Sequence, residues 1–72
     1  MRIQIVLINE FGEFKGEHLN VTVQQYSNIV NMSKNFYETG FEMTGEEGEF
    51  LIFPPEIVKK SILKVNILEE DV

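Results

Sequence analysis

The chain has no cysteine and only one histidine, His18, among its 72 residues. Without thiols there is no disulfide framework and no thiolate for catalysis or metal binding, and with one imidazole no His-His metal pair can form. Ser27, Ser33 and Ser61 have no base beside them in sequence, so none reads as an activated nucleophile. Positive charge is scarce too: six Lys and Arg stand against twelve Asp and Glu, a net charge of −6. That balance disfavours nucleic acid or an anionic membrane as a direct partner. No apolar run approaches the roughly 18 residues of a membrane span. MRIQIVLINE lacks a small-residue cleavage site and is broken by Gln4, so the cytoplasm is the expected compartment.

What is present reads as one small domain over residues 1–72. A chain of this size buries only about 60% of the surface its unfolded form exposes. RIQIVLIN alternates as a strand, EFGEF supplies a turn and EHLNV returns as a second strand. Pairing Asn9 with Lys15 gathers Ile3, Ile5, Leu7, Leu19 and Val21 on one face. Thr22-Val-Gln-Gln25 is a capping box, which predicts a helix from residue 23 with Tyr26, Ile29, Val30, Phe36 and Tyr37 on one side, ended by Gly40. FEMT and EFLIF flank a four-residue loop, Gly45 to Gly48. Pairing Thr44 with Glu49 then sets Met43 opposite Phe50 and Phe41 opposite Ile52. Pro54-Pro55 stops the strand, a helical turn follows, and SILKVNIL is the last strand before an acidic tail at 69–72.

The expected fold class is therefore α+β: a small, mostly antiparallel sheet, ordered strand-strand-helix-strand-strand-strand, with one helix packed on one face. The other face would expose Val6, Ile8, Leu51, Phe53, Ile62 and Leu68. That is more apolar surface than a small monomer exposes comfortably, so a homodimer is expected to cover part of it.

No enzyme chemistry emerges. TGEEGE places Glu46, Glu47 and Glu49 within four positions, but a calcium loop needs about twelve residues with alternating Asp or Asn ligands, so no metal is assigned. Gly12 and Gly16, or Gly45 and Gly48, form no phosphate cradle, since no lysine follows on a helix N-terminus. No cofactor is implied, and the expectation is a protein that is not an enzyme.

Charge placement is more informative. Residues 35 to 58 hold six glutamates and no lysine or arginine, whereas Lys59, Lys60 and Lys64 cluster afterwards. Solubility and protection of sheet edges call for such charges, yet a merely solubilising surface mixes signs. The candidate partner-binding residues are Glu42, Glu46, Glu47 and Glu49, then Glu10, Glu13 and Glu17 at the first hairpin. Carboxylates repeating at strand spacings make a rigid array that could compete with DNA for a basic protein.

The small size, the lack of cysteine, the acidic GEEGEF hairpin and the segment FPPEIVKKSILKVNILEEDV resemble the small early proteins with which large lytic bacterial viruses disable their hosts. Among these the chain is similar to the DNA-mimicking inhibitors of the nucleoid protein HU. The resemblance implies a dimer whose acidic surface fills the DNA-binding cleft of HU, in the host bacterial cytoplasm, and displaces the chromosome. Lys59, Lys60 and Lys64 would spoil such a mimic if they lay on the same surface. The alternative is a viral adaptor or inhibitor of host transcription or protease machinery that binds through an apolar or helix face. Salt separates the two, because a charge-led complex weakens as ionic strength rises.

Overall fold

The computed structural model describes residues 1–70. Strand β1 (Arg2–Asn9) is central, and because it is apolar on both faces it is enclosed from both: Ile3, Ile5, Val6 and Leu7 are all buried. On one side it pairs with β2 (Gly12–Lys15) and then β3 (Leu19–Asn20). On the other it pairs with β6 (Ile62–Glu69), and every pairing is antiparallel.

The first hairpin is tighter than the sequence suggests. Asn9 faces Gly12 and Lys15 faces Val6, rather than Lys15 facing Asn9. The loop is only Glu10-Phe11, stabilised by Asn9 Oδ1, which accepts from the Phe11 amide at 2.8 Å. The chain between β2 and β3 takes up one extra residue, so Leu19 still meets Ile3 and joins the face of Ile5 and Leu7.

The predicted capping box is present. Thr22 Oγ1 accepts from the Gln25 amide at 3.1 Å, and Gln25 Oε1 accepts from the Thr22 amide at 2.8 Å, opening helix α1 (Val23–Ser33). The single expected helix is broken at Lys34-Asn35, and α2 (Phe36–Thr39) completes it as far as the Gly40 cap. Near the break, Ser33 Oγ donates to Val30 O at 2.6 Å and the Asn35 amide turns back to Met32 O, both in competition with the regular helical ladder.

Strands β4 (Phe41–Thr44) and β5 (Phe50–Phe53) form the second hairpin, here one residue out from the expected register. Phe41 faces Phe53 and Met43 faces Leu51. The reason lies in Gly48. Its φ of 85° supplies the left-handed position of a three-residue loop, Glu46-Glu47-Gly48, closed by the Gly45 amide on Glu49 O at 2.7 Å. A slip of one residue exchanges the two faces. Leu51 and Phe53, expected outside, point into the core, whereas Phe50 and Ile52, expected inside, are exposed at 63% and 67%. Val6, also expected outside, is buried between Lys15 and Lys64, which stand directly opposite it on the two flanking strands. Of the expected outward set, Ile62 and Leu68 remain exposed and Ile8 is half-buried.

A proline-initiated turn of helix, α3 (Pro55–Val58), leads into β6. The core centres on Leu7, Phe53 and Val58, with Phe14, Phe36, Phe41, Met43, Leu51 and Leu63 packed around them. Phe14 meets Phe53 edge to face at 5.5 Å, and Phe36 lies 4.7 Å from Phe41. The fold is α+β, as expected. In a core this small, cutting Leu7 back to Ala removes about 2–5 kcal/mol, a large share of the roughly 5–15 kcal/mol that holds a small domain folded.

Candidate functional site

The two acidic hairpins meet. Gly16, just after β2, forms an antiparallel bridge with Gly45, just after β4. The Glu17 amide donates to Thr44 O at 2.9 Å and the Glu46 amide to Lys15 O at 3.2 Å, while the Gly16 amide reaches Ile5 O at 2.8 Å. Close backbone approach calls for glycine at Gly16, whereas at Gly45 only the flexible Glu49 side chain stands in the way. A Cβ on Gly16 would lie 2.9 Å from Met43 Sδ and 3.1 Å from Ile5 O, and one on Gly45 would fall on the Glu49 carboxylate.

The bridge makes neighbours of glutamates from distant segments. Glu17 and Glu46 share a shallow cleft with His18, and Glu17 shares a second cleft with Glu42 over Ile5, Leu19, Phe41 and Met43. No lysine or arginine lines either one. Glu46 is also oriented from beneath: the nearly buried Gln4 donates through Nε2 to Glu46 Oε2 at 3.0 Å and to Gly16 O at 2.9 Å. Gln4 was not among the candidates. Its sequence signal is a polar amide inside an otherwise apolar strand, since a buried amide needs partners.

The remaining candidates lie elsewhere. Glu47 is exposed at the tip of the β4–β5 loop, and Glu49 folds back over Gly45. Glu10 sits in the two-residue loop and lines a cavity with Asn9, Phe11, Ile57 and Lys60. Glu13 stands opposite Ile8 on the outer sheet face. The lysines are split as well. Lys60 neighbours Glu10, while Lys64 flanks Val6 on that outer face together with Lys15, whose carbonyl holds the Glu46 amide. The clefts of Glu17, Glu42 and Glu46 are therefore the ground lined by glutamates without lysine or arginine, and the tip of the first hairpin carries mixed charge.

Among the described residues, no group of three or more His, Asp or Glu side chains is arranged to hold a metal ion, and no helix is long and apolar enough to cross a membrane. The arrangement offers fixed negative charge beside exposed apolar side chains: Phe50 and Ile52 share the outward hairpin face with Thr44 and Glu42. Compared with known proteins, the chain matches no family model, no curated protein and no solved structure.

Proposed function

We propose that the chain is a non-enzymatic inhibitor whose acidic seam docks on a basic DNA-binding protein of the HU type in the bacterial cytoplasm and keeps DNA from it. The observation that carries this reading is the convergence of Glu17, Glu42 and Glu46 from two separate hairpins onto clefts lined by no lysine or arginine. Backbone bridging fixes the spacing, so the charges are arranged before the partner arrives, which lowers the ordering cost of binding. Charge of one sign on a rigid surface also speeds the encounter with a basic cleft.

Purified HU passed over the immobilised protein tests the proposal. Binding at low salt should weaken about tenfold or more at moderate salt, as for other charge-led complexes. Replacing Glu17, Glu42 and Glu46 together by Gln should weaken it similarly at constant salt. No capture of HU at low salt refutes the reading.

A second reading rests on Phe50 and Ile52, two large apolar side chains exposed side by side on β5. They suit an adaptor or inhibitor of host transcription or protease machinery that binds through an apolar patch. A complex of that kind responds little to salt.

A further inference from the structure

Strand β6 is eight residues long, and β1 is its only ladder partner among the described residues. Its other edge is an unpaired row of amides and carbonyls, the kind of edge that most proteins keep short, bend or cover. The other edges here are managed. β3 has two residues, β5 has four and runs into Pro54-Pro55, and the end of β2 is stitched to the second hairpin through Gly16 and Gly45. β6 has none of these protections before the irregularity at Leu68, and it exposes Ile62, Ile67 and Leu68 at 63%, 41% and 39%.

We propose that this edge is occupied by a second copy of the chain, its β6 laid antiparallel about a two-fold axis through Val65, which joins two sheets into one. The charges flanking the strand select this partner. Lys59-Lys60 precedes β6, which ends in Glu69 and is followed by Glu70. Antiparallel self-pairing brings the basic end of each strand to the acidic end of the other, and the symmetry repeats the match twice. A parallel arrangement would set like charges side by side. Glu69 already pairs with Arg2 of its own chain at 3.4 Å, which leaves Glu70 as the acid that the basic Lys59-Lys60 end of the second copy would approach.

The side chains choose the register. With Val65 on the axis, Ile62 meets Leu68 of the second copy, Leu63 meets Ile67 and Lys64 meets Asn66, so apolar residues pair with apolar and no like charges face each other. Shifted by one same-face step toward the N-terminus, Lys64 would face its own copy. Shifted the other way, Lys64 would face Leu68 and Ile62 would face Glu70. The acidic seam lies at the opposite edge of β1, beyond β2, so the joined sheet leaves both seams free, and this inference stands independently of what the seam binds.

Sedimentation of the whole chain, with circular dichroism to verify folding, tests the pairing. The wild type should be a dimer at high micromolar concentration. Lys60→Glu and Glu70→Lys should each raise the dimer dissociation constant about tenfold, as expected when two attractive pairs become repulsive. An equal mixture of the two variants should recover a heterodimer, and the single chain carrying both changes should recover a homodimer. Because the protein has no cysteine, Val65→Cys reads the register directly: it should oxidise to a disulfide dimer, while Ile62→Cys, about 20 Å from its symmetry mate in this register, should not. A monomeric wild type, failure of the mixture to recover the dimer, or cross-linking at Ile62 rather than Val65 would each overturn the proposal.

Discussion

Gln4 and Glu46 lie 42 residues apart in sequence and are joined by a hydrogen bond of 3.0 Å, Nε2 to Oε2, while the second proton of the same amide goes to Gly16 O at 2.9 Å. One buried side chain thus holds both the Gly16–Gly45 bridge and an acid of the seam. Replacing Gln4 by Leu keeps the volume but leaves Gly16 O without its donor, and the loss should be about 1–3 kcal/mol. Glu46→Gln should cost less, because an amide oxygen still accepts from Gln4. Urea unfolding of Gln4→Leu, Glu46→Ala and the double variant should reveal a coupling of about 1 kcal/mol. Strict additivity would mean that the contact contributes nothing to the seam's rigidity.

Helix α1 contributes no buried residue, so its ends matter more than its packing. An 11-residue helix is marginal on its own in water, and the Thr22–Gln25 box satisfies two of its orphan amides. Thr22→Ala should cost about 1 kcal/mol. That cost should appear as faster amide exchange confined to Val23–Ser33, with β1 and β6 protected as before. Uniform acceleration across the chain would show instead that α1 unfolds only with the whole domain.

This contrast marks what the sequence can convey. Thr22 and Gln25 were legible because a capping box is local: donor, acceptor and helix start lie within four residues. The strands and the helical turn after Pro54-Pro55 were legible for the same reason. Hairpin register was harder, because Gly45 and Gly48 both look like loop glycines and only the positive φ at Gly48 decides between a three- and a four-residue loop. That one choice exchanged Phe50 and Ile52 with Leu51 and Phe53. The meeting of Gly16 and Gly45 has no local signature at all. It follows from how the second hairpin packs on Leu7 and Phe14, so the sequence could nominate Glu17, Glu42 and Glu46 but could not separate them from Glu10 and Glu13.

Phe50 and Ile52 are where the two functional readings can be told apart without disturbing the fold. Both are mostly exposed on the outward face of β5, and neither belongs to the core around Leu7, Phe53 and Val58. Replacing both by Ser should change unfolding free energy by no more than about 0.5 kcal/mol per site, the usual scale for surface positions. Phe53→Ala, three positions from Phe50 and on the other face, should cost about 3–5 kcal/mol. If the acidic seam leads binding, the double Ser variant should retain most of its affinity for HU at low salt, while Glu17→Gln, Glu42→Gln and Glu46→Gln together weaken it about tenfold or more. Should the double Ser variant lose binding with its stability intact, the aromatic and aliphatic pair is the hot spot. The neighbouring glutamates would then act as the polar rim that surrounds such a patch.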